Sequence, residues 1–175
     1  ADEKARALNK FYEAVMPIVK FQGGLIDRIS VDGFDVMFKS AVSAIKCCRG
    51  IGTYFESLNQ HGKEDNKGYD VLIGVHAAEN VQLGVIGSID RFQPVIMSKQ
   101  HGELKTIIRI AEKLKLNYVL SSGVLKMLSK KPSNIQLVAA LDSNNLIYSF
   151  SDSMVKMDSL AHVVCSVLDK NYVEA

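Results

Sequence analysis

The chain has 175 residues, 47% of them hydrophobic, and its 21 basic and 19 acidic side chains leave a net charge of +2. That length and apolar fraction suffice for one sizeable core and predict a single domain over residues 1–175. The charges are interspersed along the chain, which argues against a strong polyanion-binding stripe, so nucleic acid is not an expected partner.

No apolar run approaches the roughly 18–20 residues that span a bilayer, and no signal-peptide-like stretch opens the sequence, so this segment is not expected to insert into a membrane. Cys47, Cys48 and Cys165 lack zinc or thioredoxin spacing, and neighbouring helical cysteines do not easily bridge each other. A reducing, cytoplasmic setting is therefore predicted. The sequence has no initiator Met and enters a helix at once, which predicts that the natural protein begins further upstream.

Leu8, Phe11, Tyr12, Val15, Ile18 and Val19 recur at helical spacing and predict a first helix over residues 4–20. Pro17 is expected to kink its last turn, and Gly23-Gly24 to end it. Residues 22–39 then read as two short strands joined at Asp32-Gly33, a dipeptide suited to tight hairpins. By alternation Phe34, Val36 and Phe38 share the face expected in the core, while Asp35, Met37 and Lys39 share the other.

From Ser40 the period returns to 3.6 through Ala41, Ala44, Ile45, Cys48, Ile51, Gly52 and Phe55, predicting a second helix that fades near Leu58. Residues 59–68 are polar and glycine-bounded, as in a solvated loop. Residues 69–77 and 81–89 look like strands, joined as a hairpin around Glu79-Asn80. After Pro94 come a brief apolar piece and a helix striped by Leu104, Ile107, Ile108, Ala111 and Leu114. A strand at 117–120, a short helix at 121–128 and two strands at 135–141 and 146–150 follow, the last pair turning through Asn144-Asn145. An amphipathic helix carrying Leu160, Val163, Val164, Val167 and Leu168 is expected at the C-terminus.

In that order the landmarks resemble the catalytic domain of class III adenylate and guanylate cyclases, over roughly residues 8–150. The family's Gly-Gly turn and Asp-Lys-x-x-Gly-Asp strand are similar to Gly23-Gly24 and the run from Asp27 to Asp32. Its Ile-Gly-x-His and Gly-x-Ile-Gly pieces are similar to Ile73-Gly74-Val75-His76 and Gly84-Val85-Ile86-Gly87. The resemblance implies an α+β, ferredoxin-like nucleotide-cyclase fold with a mainly antiparallel sheet flanked by helices. Residues 151–175 lie beyond it as an extra C-terminal helix.

The resemblance also implies a site in which two carboxylates hold two divalent metals that polarise a triphosphate and activate a ribose hydroxyl. One of these aspartates belongs on a strand upstream of residue 1; the other matches Asp32, preceded by Val31 in place of the usual glycine. The purine-recognising lysine matches Arg28, and the second base-selecting position matches Val95, which has no hydrogen-bonding group. The asparagine and arginine that serve ribose and the transferred phosphate match Gly102 and Thr106, and the late lysine turn falls on residues 139–142, ending in Asp142. The resemblance is thus to a degenerate member, with no catalytic side chain retained at those positions.

Plainer readings stand beside these. Asp32 fits a hairpin turn without metal, Arg28 a solvated strand position, and His76 a satisfied core histidine. Ser121-Ser122 reads as a helix N-cap, and Lys99, Lys105, Arg109, Lys113 and Lys115 as a solvated face. The expected function is a catalytically inactive, dimerising signalling module, paired as a homodimer or as a heterodimer with another cyclase-like domain. An alternative is one half of a cyclase making cAMP or cGMP from ATP or GTP, with Mg²⁺ or Mn²⁺ if the nucleotide site survives and otherwise no cofactor. A further alternative is a small-molecule site in the vestigial cleft near Arg28, Asp32 and Val95.

Overall fold

The computed structural model describes residues 2–30, 33–61, 71–78, 81–97 and 101–150. Their elements are α1 (Asp2–Phe21), β1 (Leu25–Ser30), β2 (Gly33–Met37), α2 (Ala41–His61), β3 (Ile73–Val75), β4 (Gln82–Ser88), β5 (Arg91–Met97), α3 (His101–Lys113), β6 (Tyr118–Ser121), α4 (Ser122–Lys126), β7 (Ile135–Ala140) and β8 (Leu146–Phe150). The fold is α+β with antiparallel pairing predominant, as expected. Asp32, the polar loop at residues 62–68 and the predicted C-terminal helix at 151–175 lie outside the described residues.

Two compact units are formed, the first by Ala1–Tyr69 with Val81–Met97, the second by Asp70–Asn80 with Ser98–Ala175. In the first unit α1 buries Val15 and Val19 completely, and α2 buries Ala44, Ile45, Cys47, Cys48, Ile51 and Phe55. Burying a side chain the size of valine contributes about 1.5–3 kcal/mol, so these two stripes hold the helices together. The helix runs through Pro17 to Phe21 and stops where Gly23 takes a positive φ of 71°. There Gly24 N–H bonds Val19 O and Gly23 N–H bonds Lys20 O, both at 3.0 Å, a Schellman arrangement that satisfies the last carbonyls. A Cβ on Gly24 would come within 2.7 Å of both Val19 and Val36, so the hairpin can follow the helix this closely only at glycine.

In the hairpin β1 pairs antiparallel with β2, and Ser30 is the partner of Gly33. Gly33, which the sequence places in the turn with Asp32, is instead the first residue of β2, at φ 148°. Phe34 stacks against Phe11 and Tyr12 of α1, as its alternation predicts, although it stays half-buried.

The predicted hairpin between residues 69–77 and 81–89 does not form. Strand β3 is only three residues long and pairs in parallel with β6, whereas β4 pairs antiparallel with β5 through Ser88 and Arg91. The apolar piece after Pro94 is the end of β5. A two-residue connection at Ile89-Asp90 lets β4 fold onto β5 with little loop-closure entropy, which outweighs pairing with the strand before it.

The second unit is a four-stranded sheet in the order β3-β6-β8-β7, parallel between β3 and β6 and antiparallel elsewhere. Its core joins Ile107 and Ala111 of α3 to Leu116, Val119, Val138, Ala139 and Ile147. Gly74 permits the close seat of α3, because a Cβ there would lie 2.6 Å from Ile108 Cδ1. Ser121 occupies the N-cap position of α4 but makes no capping bond with its side chain. Its Oγ instead accepts from Ala77 N–H at 3.4 Å, while Ser122 Oγ donates to Asn144 O and accepts from Leu146 N–H.

Candidate functional site

Arg28 and Asp35 face each other because of an irregularity in the hairpin. The register shifts between Ile26 and Arg28, leaving Asp27 as the extra residue, and this sets Arg28 opposite Asp35. The Arg28 guanidinium donates from Nη2 to Asp35 Oδ2 at 2.6 Å, with half of the Arg28 side chain exposed. The position that resembles a purine reader is thus engaged by a carboxylate of its own hairpin. Alternation put Asp35 on the outer face of its strand, but the bulge that makes it the partner of Arg28 leaves no trace in composition.

Tyr12 of α1 reaches the same end of the hairpin. Its hydroxyl lies 2.5 Å from Ser30 O and 3.0 Å from Gly33 O, the two carbonyls on either side of residues 31–32. Burial pushes the Tyr12 phenol above its ordinary range, opposed by the bond to Ser30. Sequence reasoning assigned Tyr12 only to the apolar stripe; nothing in the 3.6-residue pattern distinguishes a core ring from one whose hydroxyl straps a turn.

Val95 pairs with Gly84 across the β4–β5 ribbon and is half-buried, with no polar atom to offer a base. Gly102 and Thr106 lie in the other unit, on the first two turns of α3. Gly102 faces open space, and the Thr106 hydroxyl donates back to Gly102 O at 3.2 Å, a bond spent within the helix. At the end of β7, Asp142 accepts from Asn144 N–H, Asn145 N–H and Asn145 Nδ2, so its carboxylate organises the turn into β8. The bond from the Asn145 side chain, with those from the backbone, holds its carboxyl below the usual carboxylate range.

Among the described residues no three His, Cys, Asp or Glu side chains approach closely enough to share a metal ion. His76 is not the satisfied core histidine the sequence suggests. Its side chain is 8% exposed and neither ring nitrogen has a hydrogen-bond partner, although Glu103 Oε2 stands 3.3 Å from Nε2. Cys47 and Cys48 are buried thiols in α2; burial raises both, and Cys48 is pushed up to about 12 by burial together with its neighbour.

The arrangement of elements is that of class III nucleotide cyclase domains. Two solved structures of bacterial light-regulated adenylyl cyclases superpose with TM-scores of 0.75 and 0.72, at 15% and 16% identity. The guanylyl cyclase Cya2 superposes with a TM-score of 0.69 at 18% identity. The alignments cover 97%, 91% and 91% of this chain respectively. They span 51% and 49% of the light-regulated cyclases and 85% of Cya2, so the chain corresponds to about half the length of the first two. No family model matches the sequence, and neither does any curated protein. The likeness is in the fold.

Proposed function

We propose that this chain is a cyclase-fold signalling module that pairs with a second cyclase-like domain, identical or different, and does not turn over nucleotide by itself. The observation that carries the reading is the β4–β5 ribbon. Its register puts Leu83, Val85 and Phe92 on one face, and these side chains are 64%, 66% and 65% exposed. Ile89 at the connection is exposed as well. A two-stranded ribbon gains little stability alone in water, and so much apolar surface on one face marks an association site.

The lack of turnover rests on the positions named above. Gly102 has no side chain, the Thr106 hydroxyl is bonded within its own helix, and Val95 carries no donor or acceptor. Removing one preorganised donor to transition-state charge commonly costs about 10²–10³ in rate, and here two are replaced. Sedimentation velocity tests the pairing: the wild type is expected to run as a dimer at high micromolar concentration and Leu83→Lys/Val85→Lys as a monomer. A monomeric wild type defeats the homodimer reading.

A second reading keeps the enzyme, with this chain as one half of an adenylate or guanylate cyclase completed by a partner. It is favoured by the retention of Asp32 in the sequence and by the activities in the names of the solved structures. Mg²⁺ or Mn²⁺ belongs to this reading alone. Calorimetric titration of ATP and GTP with either ion, using Asp32→Ala as control, separates the two: binding lost in the variant supports the half-enzyme, and no binding near millimolar concentration supports the module.

A further inference from the structure

Seven of the thirteen large apolar side chains exposed among the described residues fall within residues 81–97, so apolar exposure is concentrated on the β4–β5 ribbon. Successive residues of a strand point to opposite faces, and a ribbon laid flat on another surface needs only one of its faces apolar. Val85 and Ile86 are consecutive, yet they are 66% and 56% exposed. The register puts Ile86 and Met97 on the face opposite Leu83, Val85 and Phe92. On that second face Met97 lies across Gly84, where an added Cβ would come within 2.8 Å of Met97 Cε. At the connection between the strands Ile89 is 88% exposed. Both faces and the tip therefore present apolar surface.

We propose that the ribbon is an arm clasped by a second copy of this chain, which covers both of its faces and the Ile89 tip. The inference rests on the pairing proposed above and supplies its partner and its mode. A standard interface buries about 800 Å² on each partner. Even at the size of an aromatic residue, about 150–250 Å², three side chains that are two-thirds exposed supply at most about 500 Å². Leu83, Val85 and Phe92 therefore fall short by themselves, and Ile86, Ile89 and Met97 bring the arm to about the standard size.

Charge favours an identical partner. The charged residues of the ribbon are Asp90 and Arg91, both exposed at the tip, so the arm has no net charge. Two copies of it meet without like-charge repulsion, and the two signs at one tip complement those at the other. A two-fold pair exchanges two such arms, each covering apolar surface that the isolated chain leaves in water.

Sedimentation velocity of the full chain and its variants, with chemical labelling of the tip, tests the arm. The wild type is expected to dimerise, and Ile86→Glu, on the face away from Leu83 and Val85, to raise the dissociation constant at least tenfold. In a Cys165→Ser background, Ile89→Cys should react with a thiol reagent at least tenfold more slowly well above its own dimerisation midpoint than well below it. Ile86 and Ile89 are exposed, so neither variant removes a core contact. A wild type that stays monomeric at high micromolar concentration overturns the second copy as occupant, together with the homodimer reading. A dimer that Ile86→Glu leaves unchanged, or in which the Ile89→Cys thiol reacts equally fast in both states, overturns the clasped arm alone and leaves pairing through one face.

Discussion

Arg28 and Tyr12 show how single side chains acquire partners that their local sequence does not name. The Arg28–Asp35 pair is open to solvent on both sides and contributes at most about 1 kcal/mol, so its effect is on where Arg28 points. Tyr12 matters more for stability, because one hydroxyl serves two carbonyls beside the hairpin tip. Tyr12→Phe keeps the ring packing on Phe11 and Phe34 while removing that strap. It should cost about 1 kcal/mol in urea denaturation with an unchanged slope. The α2 thiols invite another measurement. With both raised by burial and Cys48 near 12, native protein at pH 8 in a Cys165→Ser background should react with a thiol reagent only at its unfolding rate. Rapid labelling would mean that α2 is not seated as described.

At the scale of elements, the ends decide more than the interiors. Helix α3 closes as α1 does, with Leu116 N–H bonding Ala111 O at 2.9 Å and Lys115 N–H bonding Glu112 O at 3.1 Å. Here, however, the left-handed residue is Lys115, at φ 53°, where α1 uses glycine. Relief of that strain should make Lys115→Gly more stable by about 0.5–1 kcal/mol, read as a higher denaturation midpoint. The opposite holds at the β4–β5 connection. Gly87 has φ 138°, and a Cβ there would sit 1.9 Å from Arg91 O, so Gly87→Ala must move the backbone. A loss of about 2 kcal/mol or more is expected, and the proposed pairing should weaken as the ribbon distorts.

For the whole molecule the decisive quantity is how stability responds to concentration. A domain that pairs through its ribbon gains apparent stability by mass action, so its melting temperature should rise over a hundredfold increase in protein concentration. Leu83→Lys/Val85→Lys should melt at one temperature throughout. No described helix is long and apolar enough to cross a membrane.

Most elements were legible in the residues because amphipathic period is a local property. The stripe Leu104, Ile107, Ile108, Ala111 and Leu114 needs only its own spacing to mark a helix, and Gly23-Gly24 needs only its missing side chains to mark an end. The order of landmarks was enough to indicate the cyclase fold. Pairing was not legible, because which strand a strand joins depends on competition among distant segments; β3 joined β6, and β4 joined β5. The candidate site divided the same way. That Val95, Gly102 and Thr106 carry no side chain like those of the positions they resemble was visible at once, since side-chain identity is read directly from sequence. The Asp35 partner of Arg28, the Tyr12 strap and the unpartnered imidazole of His76 arose only in three dimensions, where a bulge, a helix face and a tight seam determine what each polar atom meets.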